Sequence, residues 1–184
     1  FRYYVVRELA IGPDGNWTDD GFATRYGAEL ANGLGNLVNR SLSMLNRYRD
    51  GIVPELNDEL LAEALAARDK LVEQLKASEL QEGLRTIWSY IARVNQYVDQ
   101  TAPFKLAKDP SQTERLGEVL YNLVESCRLL AVWLQPYLPI TSQRMREQLN
   151  VAADTANIAE TSWGELVAGH QINQPEPLFP RRDQ

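Results

Sequence analysis

The 184-residue chain is short of the groups on which most catalytic and metal sites are built. It has one cysteine, Cys127, and one histidine, His170. A single cysteine excludes an intramolecular disulfide and any cysteine-based zinc cluster, and it fits a reducing, cytoplasmic setting. A di-iron bundle needs paired Glu-x-x-His motifs, and even one is missing. No glycine-rich phosphate loop of the Walker or Rossmann type is present. No apolar run approaches the roughly 18 residues of a membrane-spanning helix, so no membrane contact is expected. The opening Phe1-Arg2-Tyr3-Tyr4-Val5-Val6-Arg7-Glu8 is too short and too charged for a signal peptide. It also lacks an initiator Met, which suggests that the chain continues something upstream.

Positive charge is scarce as well. Nineteen Lys and Arg stand against 25 Asp and Glu, a net charge of −6. That argues against a broad basic face for duplex nucleic acid. It leaves room for a small local site, because attraction to phosphate depends on where the cations sit.

What is abundant is the material of a core: 44% hydrophobic residues, with four Trp, eight Tyr and four Phe. At this length a fold removes roughly 70% of the unfolded surface from water, enough to be stable without staples. Residues 1–9 read as a short helix or strand, and Ile11-Gly12-Pro13-Asp14-Gly15-Asn16 as a turn. Thr18 or Asp19 can then cap a helix. Phe22, Tyr26, Leu30, Leu34, Leu37, Leu45 and Tyr48 form one apolar row that predicts a single helix up to Asp50-Gly51.

A second helix is expected over about 57–77, with the acidic residues of 55–63 on a solvated face. A third spans about 79–101, with Leu84, Ile87, Trp88, Ile91, Val94 and Val98 inward, and Ala102-Pro103 breaks it. A fourth begins near Ser111, where Ser-Gln-Thr-Glu reads as a capping box closed by Glu114, and it runs to Leu134. A short fifth covers 141–150. The expected fold is all-α, an antiparallel bundle of about four long helices with a short fifth and an extended C-terminal tail. The parts are a linking segment 1–15, a helical body 16–150 and a tail 151–184 packing back on it. Cys127, on an apolar row, is expected to be core, and His170 to bond backbone within the tail; no residue is assigned a catalytic role.

Two local patterns carry chemistry. In Asn36-Leu37-Val38-Asn39-Arg40 the first and last residues lie four apart and share a helix face. An amide beside a guanidinium can read base edges. In Asn95-Gln96-Tyr97-Val98-Asp99-Gln100-Thr101-Ala102-Pro103-Phe104-Lys105-Leu106-Ala107-Lys108, Pro103 forces a bend that can push Phe104 out of the helical register. An exposed aromatic beside Lys105 and Lys108 is a stacking platform for unpaired bases. By themselves these residues fit equally a core Phe and solvent-facing polar groups.

Together the patterns resemble the methionyl-tRNA synthetase family over nearly the whole chain. Phe1–Glu8 looks like the segment after that family's KMSKS loop, and Asp19–Arg40 like its first anticodon-domain helix. Asn95–Asp109 is similar to its anticodon-stacking segment. Gly169-His170-Gln171-Ile172 and Pro175-Glu176-Pro177-Leu178-Phe179-Pro180-Arg181 resemble the bacterial terminal segment. The resemblance implies an anticodon-binding domain whose base-reading Asn and Arg are Asn36 and Arg40. Pro103 would shape the platform, and Phe104 would stand where the family has a stacking Trp. It further implies recognition of the CAU anticodon of methionine tRNA, an upstream catalytic domain using ATP and bearing zinc, and a cytoplasmic location. No cofactor or metal is expected in this chain. Alternatives are a stand-alone tRNA-binding or regulatory paralogue, the anticodon domain of a related class I synthetase, or a helical scaffold without nucleic acid.

Overall fold

The computed structural model of the chain describes residues 1–8, 17–152 and 157–180. The turn expected at 11–16, the 15/16 boundary and Arg181 lie outside these. Helix α1 (Arg2–Glu8) buries Tyr3 and Tyr4. The Tyr3 ring rests 4.6 Å from that of Trp88, and its hydroxyl donates to Glu29. Helix α2 (Asp19–Arg25) is capped by Thr18, whose Oγ1 accepts from Gly21 N at 3.1 Å. Asp19 and Asp20 add the negative charge that a first turn favours.

The single helix expected from here to Asp50 is instead three windings on one path. After α2 the chain passes into a π-helix, Tyr26–Gly35, and then into α3 (Asn36–Arg49). Side chains are missing where this looser winding needs close approach: a Cβ on Gly35 would lie 2.9 Å from a Phe179 ring carbon and 3.1 Å from the Leu30 carbonyl. From Leu34 onward Leu37, Val38, Ser41, Leu42 and Leu45 face the core. Asp50 and Gly51 both take left-handed φ and end α3, a stop in accord with the sequence.

The next helix, α4 (Leu61–Lys76), begins four residues later than expected. Residues 57–60 form a cap: Asn57 Oδ1 accepts from Glu59 N, and Asn122 Oδ1 from Leu60 N at 3.0 Å. The acidic stretch is not simply solvated either. Glu59 pairs with Arg115, and Glu63 with Arg93 at 3.0 Å. Helix α5 (Leu80–Thr101) buries Leu84, Ile87, Ile91, Val94 and Val98 as the periodicity indicates, while Trp88 is only half-buried beneath Tyr3.

A four-residue helix α6 (Pro103–Leu106) leads to a 3₁₀ turn, Pro110–Gln112. The capping box at Ser111 does not form. Asp109 is the cap, accepting from Ser111 N at 3.0 Å and Ser111 Oγ at 2.8 Å, and Glu114 stays exposed. Asp followed by Pro wins because Pro at the first helical position gives up no N–H that the helix needs. Helix α7 (Thr113–Trp133) is the centre of the bundle. It is buried almost all round from Leu116 on and packs against α3, α5, α6 and α8 (Pro139–Leu149). Cys127 lies on it, fully buried. Among the described residues there is no strand, only one bridge between Ile52 and Gln171. The fold is all-α.

The described part of the tail is tied down along its length. Buried Glu125 accepts from the guanidinium of Arg128 and from the backbone N–H groups of Gly164, Glu165 and Leu166. Val53 N donates to His170 O and Val53 O accepts from Gly169 N, both at 2.9 Å. Arg144 donates to the carbonyls of Leu178 and Pro177 at 2.8 and 2.9 Å. Tyr26 OH reaches Pro180 O at 2.9 Å. This route carries Phe179 to Gly35, one residue before α3 begins.

Candidate nucleic-acid interface

Asn36 opens α3 and is exposed; Arg40 lies one turn on, with 35% of its side chain exposed. They share a face because residues four apart are stacked along an α-helix. The opposite face is fixed by the fully buried Leu34, Leu37 and Val38, so the pair cannot rotate inward.

Across from Arg40 stands the last turn of α5. Arg40 Nη2 lies 3.7 Å from Asp99 Oδ1, and the Asp99 side chain is 74% exposed. That separation exceeds hydrogen-bond range, so the carboxylate orients the guanidinium without occupying its donors. The turn itself is pinned from below. Tyr97 OH donates to Glu59 at 3.0 Å, and Glu59 also receives Arg115. The hydrogen bond from Arg115 is the main cause that holds the Glu59 carboxyl below its ordinary range, and burial pushes the Tyr97 phenol upward.

The α5 helix stops at Ala102, which takes a left-handed φ of 43° while its N–H still bonds Val98 O. Pro103 begins α6, buried, where its fixed φ suits a first helical position. Phe104 follows and projects with 44% of its surface exposed. Lys105 and Lys108 are exposed beside it. The structure therefore brings Arg40 to the end of α5, with Asn36 one turn before it on α3, and the reversal at Ala102-Pro103 turns Phe104 out after that end.

Asp99 was not singled out from the sequence, although a signal existed. A carboxylate in the last turn of a helix opposes the helix dipole and calls for a cation nearby. A groove of about 660 Å³ also lies on the other side of Asn36, between Asn32, Asn39 and the tail residues Pro177 to Pro180. Its tail wall comes from residues far along the chain, so no local pattern announces it.

The remaining reactive groups are placed elsewhere. Burial pushes the Cys127 thiol up to about 12, which leaves it a thiol at neutral pH. His170 Nε2 lies 2.8 Å from Leu149 O, in a backbone contact. Among the described residues no group of His, Cys, Asp and Glu could hold a metal ion, and no helix is long and apolar enough to cross a membrane.

Comparison with known proteins adds to this geometry. A family model described as the anticodon binding domain of methionyl tRNA ligase matches residues 51–183. The methionine–tRNA ligase of Clostridium acetobutylicum is 40% identical over 188 residues, which take in 99% of this chain and 29% of that protein. That of Bacillus subtilis is 41% identical over 192 residues, or 98% of this chain and 28% of the relative. The apo form of Mycobacterium tuberculosis methionyl-tRNA synthetase matches with a TM-score of 0.87 at 30% identity, over 100% of this chain and 38% of that one. The same synthetase in complex with methionyl-adenylate gives 0.86 at 29%. The chain thus spans less than a third of the curated relatives that it matches.

Proposed function

The chain belongs to the methionyl-tRNA ligase family, and from that premise we propose that it reads the CAU anticodon of methionine tRNA on the surface formed by Asn36, Arg40, Pro103 and Phe104. One observation carries the reading: exposed Asn36 and half-buried Arg40 share a face of α3, and Arg40 meets the end of α5, where a buried proline turns an aromatic outward. Sequence-specific recognition of RNA targets unpaired bases, which can be splayed, stacked on an aromatic and bonded on their edges. Phe104 offers the stacking face. Arg40 offers a fork of donors, and Asn36 a donor and an acceptor on one amide. Asp99 holds Arg40 in place until a base edge takes over its free N–H groups.

In this proposal the chain recognises tRNA, and an ATP-dependent domain in the rest of the protein attaches methionine. Titrating the chain with a CAU stem-loop, and with stem-loops altered at one anticodon base each, tests the recognition. The CAU loop should bind tightest. Arg40→Ala and Asn36→Ala should each weaken it by about 1–3 kcal/mol, the worth of a good base-edge contact. Thermal stability should barely change, because an exposed ion pair contributes about 0–1 kcal/mol. Equal binding of CAU and altered loops, or unchanged affinity in both variants, would refute the assignment.

A further inference from the structure

The polar row that begins with Asn36 and Arg40 does not end there. Ser43 and Arg47 follow, and steps of four, three and four residues return to the same side of a 3.6-residue helix. None of the four is buried, and Arg47 is exposed. At 1.5 Å per residue Arg47 stands about 10 Å beyond Arg40 along α3.

At that end α3 faces α6 and the turn after it across a groove of about 420 Å³, lined by Arg47, Tyr48, Arg49, Ala107, Asp109 and Pro110 among others. Two arginines line it. The Arg47 guanidinium sits 5.7 Å from the centre of the Tyr48 ring. Arg49 donates through Nη2 to Thr113 O at 2.5 Å, but its Nε is buried and meets no acceptor. A buried donor without a partner is destabilising. An anionic oxygen in the groove would supply the missing acceptor once the Arg49 side chain turns toward it, since the Nε is shielded where it stands, and charge-assisted bonds of this kind are the strong ones. The carboxylate of Asp109 also lines the groove, where its Oδ1 accepts from Ser111 N and Ser111 Oγ, but it makes no bond to Arg49 Nε.

We propose that this groove holds a backbone phosphate of the same RNA whose unpaired bases meet Asn36, Arg40 and Phe104, with Arg47 and Arg49 as its ligands. The inference rests on the anticodon-reading proposal but concerns a different group of the RNA. It assigns Arg47 and Arg49 to affinity and register, and leaves base discrimination to the first half of the row.

The test is a salt series of stem-loop titrations on the 184-residue chain. One phosphate contact on single-stranded nucleic acid contributes about −0.7 to the slope of log affinity against log salt, or about five-fold in affinity near 0.1 M. Arg47→Gln should therefore weaken the CAU loop about five-fold, flatten the slope by about 0.7, and weaken every altered loop by the same factor. Arg49→Lys keeps the charge but lacks the Nε donor, so it should weaken binding with the slope unchanged. A neutral methylphosphonate linkage, walked through the loop, should weaken the parent at one position and have no further effect there on Arg47→Gln. Inorganic phosphate at matched ionic strength should not displace the RNA.

Unchanged slope and affinity in Arg47→Gln would overturn the proposal. So would a loss confined to the CAU loop, which would make Arg47 a base reader, or displacement by inorganic phosphate, which would make the groove a free-anion site. If the parent failed to discriminate CAU while Arg47→Gln still flattened the slope, the anticodon reading would fall and the phosphate contact would stand.

Discussion

Truncating Phe104 to Ala separates a stacking platform from a core side chain by magnitude. With 44% of its surface exposed, Phe104 keeps a little over half of its area in contact with the protein. Full burial of such a side chain is worth about 1.5–3 kcal/mol. Removing a half-buried one should then cost about 1–1.5 kcal/mol, since the gap opens to solvent and leaves no enclosed cavity. A fully buried Phe would cost about 3–5 kcal/mol. In a domain of this size 1 kcal/mol moves the melting temperature by about 2–4 °C, so the two cases are far apart in a thermal melt. Loss of base stacking should weaken a CAU stem-loop by about 1–3 kcal/mol. Phe104→Trp sharpens the comparison. An open site takes the larger ring and holds or tightens the loop, whereas a packed one is strained by about 1–3 kcal/mol. A destabilisation of 3 kcal/mol or more by Ala, with unchanged affinity of the folded fraction, would refute the reasoning.

Two predictions concern the scaffold beneath the site. Glu125→Gln removes the buried carboxylate facing Arg128, leaving it Glu165 at 2.8 Å, and replaces with an amide NH₂ one of the two oxygens that accept from the Gly164, Glu165 and Leu166 N–H groups. It should cost about 3 kcal/mol or more in denaturant unfolding and speed proteolysis between 161 and 180; a loss below about 1 kcal/mol would show that the tail is held elsewhere. Glu29 ties α1 to the π-helix. Burial pushes its carboxyl up, but hydrogen bonds from Tyr3, Arg7 and Arg25 outweigh this and leave it below its ordinary value of 4.5. A lowered folded pKa means stability that is present above 4.5 and lost as pH falls through the folded value. Melts from pH 7 to about pH 3 should show Glu29→Gln less stable than the parent at neutral pH and less sensitive to acid; parallel acid limbs would remove Glu29 from the account.

The all-α class was legible because apolar rows such as Leu84, Ile87, Ile91, Val94 and Val98 repeat at the helical period and nothing competes with them. Helix ends were legible where backbone chemistry is local, as at Asp50-Gly51 and Ala102-Pro103. The Asp109 cap was locally written too, but two cap patterns overlapped there, and Asp before Pro outranks Ser before Glu114. The π-helix was not legible. Its end at Gly35 packs against Phe179, a residue far along the chain that no local pattern around Tyr26–Gly35 announces.

Net charge misleads for a related reason. At −6 the chain should repel RNA on average, and pairs within the fold such as Glu59–Arg115, Glu63–Arg93 and Glu125–Arg128 leave that sum unchanged, because each takes out a cation with its acid. At physiological salt, charges beyond about 8 Å are largely screened. An approaching RNA loop therefore meets the local set, in which Arg40, Arg47, Lys105 and Lys108 on the surface and Arg49 at the groove stand against Asp99 and Asp109, with Asp50 and Glu114 exposed beside Arg49 and Thr113. Asp99 orients Arg40 and Asp109 caps a turn. An acidic protein can in this way present a cationic strip only as long as the RNA segment it contacts. On the proposed reading its affinity should follow the few phosphates within reach, so that a longer duplex should bind no tighter.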